Sequence, residues 1–157
     1  MEYWILQHNP QLLPADIPHP GDVPQNRDYW HISRYGDEVG VGDVAFIWHA
    51  GAKRGIYGVS TIVSVPPHTP EANEQIRRLT ENDARFWTDS VERDRLRQQP
   101  TILIEYQYPN MRPISASELM RRGLSGLPVL QMPQRCIYKL DESTGRRVLD
   151  FIRRTRP

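Results

Sequence analysis

The sequence predicts a strand-rich α+β domain whose strands form a curved, aromatic-edged wall. Three observations carry this. Apolar residues cluster in short β-prone runs separated by turn residues, most clearly over residues 42–65 and 101–108. Fourteen prolines among 157 residues call for long ordered loops rather than a helical bundle. Helical periodicity is confined to charged segments lying between and after the strands.

Tyr3 to Gln7 opens the chain as a strand, stopped at Asn9-Pro10. A proline-punctuated loop follows to about Asn26, with a Pro-Gly-Asp turn at Pro20 to Asp22. Asp28 to Tyr35 fits a short helix and an extended piece equally. Val41-Gly42-Asp43 is a turn into a strand from Val44 to His49, and Gly55 to Val65 is its antiparallel partner, closed by Pro66-Pro67. From Pro70 to Arg97 the period changes: Ile76, Leu79, Phe86, Trp87, Val91 and Leu96 mark the apolar stripe of one or two surface helices, anchored by Trp87. Thr101 to Tyr108 is a strand ended by Pro109-Asn110. Ser115-Ala-Ser-Glu118 has capping-box spacing for a short helix stopped at Gly123. Arg135 to Leu140 reads as the last strand, and Asp141 caps a terminal helix that buries Val148, Leu149 and Ile152. No internal repeat or linker divides the chain, so residues 1–157 are expected to form one domain.

Composition narrows the function classes. A net charge of +1 supplies no global field toward a polyanion, so nucleic-acid binding requires a local patch. One cysteine, Cys136 in an apolar run, excludes an internal disulfide and a cysteine metal cluster. No apolar run approaches the ~20 residues that span a bilayer, and the start of the chain does not read as a signal peptide; a cytoplasmic protein away from membranes is expected. The five histidines, His8, His19, His31, His49 and His68, lack paired metal-ligand spacing. With no nucleophile elbow, Walker loop or dinucleotide glycine pattern, the chain is read as a non-enzyme without catalytic residues, cofactor or metal.

An opening Y-W-I-L, a Trp-bearing segment at Trp30, G-D-V-A-F-I-W, then G-I-Y-G-V-S-T-I-V resembles the EVE domain of the PUA-like superfamily. The stretch L-P-V-L-Q-M-P-Q-R-C-I-Y-K-L-D and its following helix are similar to the end of such domains. The resemblance implies a PUA-like curved β-barrel flanked by short helices, with a pocket at one barrel end. It also implies a fold shared with YTH domains, which hold a methylated adenine in an aromatic cage, and a function in reading modified bases. Position by position, it puts Trp30 on the pocket wall and Gln7, His8 and Asn9 at the polar exit of the first strand. Trp48, His49, Ala50 and Gly51 fall at the end of the second barrel strand. One departure stands out: N-R-D-Y-W-H-I-S-R-Y keeps Arg27 and Tyr29 of an R-x-Y-x-A-R-N-like stretch and replaces the rest.

Such a pocket needs aromatic faces for stacking and amides or hydroxyls for the base edge. The expected base pocket comprises Gln7, His8, Asn9, Trp30, Ser33, Trp48, His49 and Tyr57, with Trp30 and Trp48 stacking and Gln7, Asn9 or Ser33 reading the edge. Trp48 alternates with Phe46 and fits a barrel core equally well, and Tyr57 fits an ordinary strand aromatic. Lys53 and Arg54 in the adjoining loop are expected to contact phosphates. The arginines at 146, 147, 153, 154 and 156 either do the same or complement a helix C-terminus. The function expected is a nucleic-acid-binding module that reads a base such as 5-methylcytosine, 5-hydroxymethylcytosine or methylated adenine in DNA or RNA, with a separate effector such as a nuclease as a further partner. The alternatives are a modification-independent PUA-like RNA-binding protein and a small-ligand sensor or enzyme using the same cleft.

Overall fold

A computed structural model describes residues 1–108 and 111–155; the expected turn at Pro109-Asn110 and Arg156 lie outside them. Its strands are β1 (Tyr3–His8), β2 (Arg27–His31), β3 (Val44–His49), β4 (Gly55–Ser64), β5 (Thr101–Tyr106), β6 (Ile114–Ser115) and β7 (Ile137–Leu140). Its α-helices are α1 (Pro70–Asp83), α2 (Ser90–Leu96), α3 (Ala116–Arg121), α4 (Pro128–Gln131) and α5 (Glu142–Thr155). The ambiguous segment after the first loop is therefore extended at its start. The short β6 and α4 add to the elements expected from sequence.

Local chemistry explains most boundaries. Thr69 accepts a hydrogen bond from the Ala72 amide at the head of α1, with Pro70 in the first turn, where its missing N–H costs nothing. Ser115 caps α3 through the Glu118 amide at 3.1 Å, and Asp141 caps α5 through the Thr144 amide at 2.8 Å. The uneven spacing around Phe86 and Trp87 has a simple cause: a 3-10 turn at Ala84–Phe86 separates α1 from α2. The expected anchor is corrected accordingly. Ala72 and Leu79 are the buried apolar contacts of α1, whereas Trp87 is half-buried and Val91 is 77% exposed.

The strands form one seven-stranded sheet in the order β2-β5-β4-β3-β1-β7, with β6 also paired to β4. β1 runs parallel to β3; the other pairings are antiparallel. Alternate residues of β1 and β3 enter different cores. Tyr3, Ile5, Phe46 and Trp48 pack under α3, α4 and α5, while Trp4, Leu6, Ala45 and Ile47 join Ile62, Ile102 and Ile104 on the other face. Burial on both faces is why β1 is a continuous apolar run rather than an alternating one. A third cluster holds Tyr29 and Leu103 against Ala72 and Leu79 of α1.

The sheet rolls up without closing, so the expected barrel is corrected to a strongly curved open sheet. β2 and β7 end the strand path and do not pair with each other. Three strands separate β1 from β2 in that path, yet the His8 and Trp30 rings lie 6.1 Å apart. Register shifts at Ile47/Trp48 and between Ile62 and Ser64 accompany the bend. Side chains bridge the seam: Trp4 and Tyr35 rings meet at 5.2 Å, Ser33 Oγ lies 3.1 Å from Cys136 Sγ, and Lys139 pairs with Glu38 at 2.8 Å. Buried Asp43 ties the start of β3 to β1, accepting from the Trp4 indole, the Gly40 amide and the Glu2 amide, each at 2.9 Å. Among the described residues, no helix is long and apolar enough to cross a membrane.

Candidate nucleic-acid interface

The roll leaves a cavity of about 700 Å³ where β1 and β3 end, β2 begins and β5 finishes. The antiparallel order dictates this convergence: the C-terminal ends of β1, β3 and β5 and the N-terminal end of β2 lie at one end of the sheet. His8, Asp28, Trp30, His49 and Tyr106 line the cavity there. The proline-rich loop after Asn9 forms a second wall, the segment 133–136 before β7 a third, and Trp87 with α2 the far side.

Gln7 turns its amide nitrogen to two carbonyls, Pro133 O at 2.7 Å and Arg135 O at 2.8 Å. Only the NH₂ end can serve two acceptors, so the amide orientation is fixed and Oε1 is left buried without a partner. Burial lowers the His8 pKa, against a backbone hydrogen bond at Leu13 that raises it, and its Nε2 is also buried and unpartnered. Its ring meets His49 at 5.1 Å. Burial first, and then repulsion from His8, lower His49 to about 4, so both rings are neutral at pH 7. Asn9 accepts from the Gln11 amide at 3.0 Å and points the chain into the loop while remaining exposed.

Alternation along β2 puts Asp28 and Trp30 on the face that carries the second core, and the Tyr29 and His31 side chains on the other. Asp28 accepts from the Tyr29 amide at 2.8 Å and faces the Tyr106 hydroxyl at 3.5 Å. Burial drives its carboxyl up to about 7, with nearby Asp83 adding to the rise. Across the strand, Tyr29 donates its hydroxyl to buried Asp83, and the Trp87 indole donates to the same carboxylate at 3.4 Å. His31, lowered to about 4 by burial and then by Arg97, holds Thr101 at 2.8 Å and leaves Nε2 without a partner.

The expected site residues thus divide. Gln7, His8, Asn9, Trp30, Ser33 and His49 share the cavity. Trp48 is corrected to core: it is 2% exposed and packs with Ile5, Phe46 and Ile56 on the opposite face of β3 from His49. Tyr57 is corrected to a support: its ring stacks on His49 at 3.9 Å and its hydroxyl donates to Lys53 O at 2.6 Å, outside the cavity. Tyr57, Lys53 and Arg54 border a separate shallow groove of about 370 Å³ next to α3. Sequence reasoning missed Asp28, Tyr106 and Trp87, along with Arg34 and Arg135, two cavity-lining guanidiniums with no ion pair among the described residues. Asp28 had a usable signal: in an extended D-Y-W it must share a face with Trp30.

Comparison with known proteins agrees with this architecture. Human THYN1, solved in complex with 5-methylcytosine-containing DNA, is similar at a TM-score of 0.61 and 16% identity, covering 97% of this chain and 98% of that one. Rpa0253 from Rhodopseudomonas palustris is similar at 0.58 and 14% identity, covering 97% and 92%. A mutant ASCH protein from Zymomonas mobilis is similar at 0.55 and 10% identity, covering 96% and 98%. At such identities the likeness is one of fold. No curated protein matches the chain. The family model described as EVE domain matches residues 2–150, through every strand of the sheet and into the last helix, and the chain belongs to the EVE domain family.

Proposed function

We propose that this protein binds nucleic acid and reads a modified base, in DNA or RNA, inserted into the cavity beside Trp30. The observation that carries the reading is the cavity's makeup: a half-buried Trp30 face beside a neutral His8 whose Nε2 has no partner. A flipped or single-stranded base needs a stacking face and unpaired polar atoms for its edge. The binding of 5-methylcytosine-containing DNA by the similar human THYN1 supports the same reading.

Stacking contributes ~1–3 kcal/mol per base, whatever its modification. A buried methyl adds only about 1 kcal/mol, so discrimination must come from apolar surface that a plain base leaves unfilled. Ile47 and Leu13 supply such surface in the cavity. Arg34 and Arg135 are the phosphate contacts in this reading, because they border the cavity itself. Lys53 and Arg54, in the other groove, meet the strand farther along. The reading is one of binding without chemistry; the Ser33 hydroxyl lies 3.1 Å from the Cys136 thiol.

Titration with matched oligonucleotides carrying plain and modified cytosine or adenine tests this. A preference of about tenfold, ~1.4 kcal/mol, is expected for one modified base, and Trp30→Ala should abolish it with the melting temperature retained. Equal binding to all, falling steeply with salt, would instead mark a general nucleic-acid binder.

A further inference from the structure

The cavity holds a carboxyl group that a general stacking pocket does not require. Asp28 sits two residues from Trp30 on β2 and faces the same space. Its Oδ1 is engaged by the Tyr29 amide, while its Oδ2 has only the long contact from the Tyr106 hydroxyl at 3.5 Å. Across the roll, the His8 ring stands 6.1 Å from Trp30. The backbone hydrogen bond at Leu13 favours an N–H on that ring, so in the neutral ring the unpartnered Nε2 is the lone-pair nitrogen. Asp28 Oδ2, in the carboxylate form, and His8 Nε2 are therefore two acceptors with free capacity.

We propose that Asp28, together with His8, makes this pocket selective for bases bearing an exocyclic amine at the pairing edge, cytosine- or adenine-type, with Asp28 the residue that sets the selection. The inference rests on the reading of the cavity as a base pocket and adds which edge it accepts. The 4-amine of cytosine and the 6-amine of adenine offer N–H groups to a carboxylate oxygen and to an imidazole nitrogen. The keto oxygen at the same position of thymine, uracil or hypoxanthine sets lone pairs against both, and leaves the buried acceptors unpaired. Burial pushes Asp28 up to about 7, so near neutral pH a donated N–H readily tips the group to its carboxylate form.

Two base pairs of closely matched shape separate this from modification reading: 5-methylcytosine against thymine, which share the methyl, and adenine against hypoxanthine. Each is placed at one position of a short oligonucleotide and titrated against the whole chain. The favoured amino base should bind at least tenfold more tightly than its keto counterpart. Asp28→Asn, whose amide both donates and accepts, should collapse that ratio below about threefold while leaving affinity for the keto base unchanged or improved. His8→Phe, which keeps an aromatic ring and removes the acceptor, should lower the ratio independently, and circular dichroism confirms that each variant is folded. A purely structural role for Asp28 would weaken both partners of a pair equally and preserve the ratio, which overturns the proposal. Preference for 5-methylcytosine over cytosine with no preference over thymine overturns it while the base-reading function stands. No binding of any base by the wild-type chain overturns both.

Discussion

Asp28 and the histidines around it bring opposite pH liabilities into one cavity. Burial raises Asp28 from an ordinary 3.8 to about 7. Its contribution to stability is thus fully present below about pH 4 and is lost as pH rises through about 7. His31 and His49, lowered by burial from 6.5 to about 4, contribute stability above 6.5 that is lost as pH falls through 4. Asp28→Asn removes the first liability and leaves the second. Urea denaturation should show this variant gaining on the wild type between pH 4 and 7, reaching about 2–4 kcal/mol, with a constant difference above that. A difference independent of pH would show that Asp28 does not titrate in this range. At this scale the sequence was partly legible. Trp30 could be placed because its segment is polar and irregular, so an aromatic there lacks an obvious core. Trp48 could not, because both faces of β3 are buried and alternation gives no polar side to orient it.

At the scale of elements, termini were easier to read than packing. Ser115 and Asp141 act through amides three residues away, so local sequence suffices to find them. The two-residue β6 and four-residue α4 are too short to show any period. Contacts between elements are hidden for a different reason: they join residues far apart in sequence. Gly145 is the clearest case. It lies in α5 directly over Tyr3 of β1, where an added Cβ would fall 2.2 Å from the tyrosine Cγ. Alanine favours a helix by about 1 kcal/mol over glycine, yet here α5 would have to lift off the sheet. Gly145→Ala is expected to destabilise by a net ~1–2 kcal/mol, read as a lower denaturation midpoint; a stabilised variant would show that α5 shifts without cost.

For the whole molecule, composition and turn spacing were enough to reach a mixed α+β architecture, but not the strand order. The parallel pairing of β1 with β3 spans a long connection that includes β2 and carries no register signal, and curvature arises at bulges that apolar patterning does not mark. The cavity depends on that curvature, since it brings β1 and β2 together from positions three strands apart. The order of the sheet also bears on how the chain is made. β1 is translated first but sits between β3 and β7, and β7 begins at Ile137. On the ribosome, the first strand therefore waits with one backbone edge bare until every other strand of the sheet has been synthesised, which is the state that invites association with other nascent chains. A chain ending before Ile137 should accordingly collect in the insoluble fraction while the full-length protein stays in the supernatant, and equal solubility would mean that something other than β7 shields that edge. The last strand, whose preceding segment 133–136 also walls the cavity, is thus the one that ends the vulnerable period of the first.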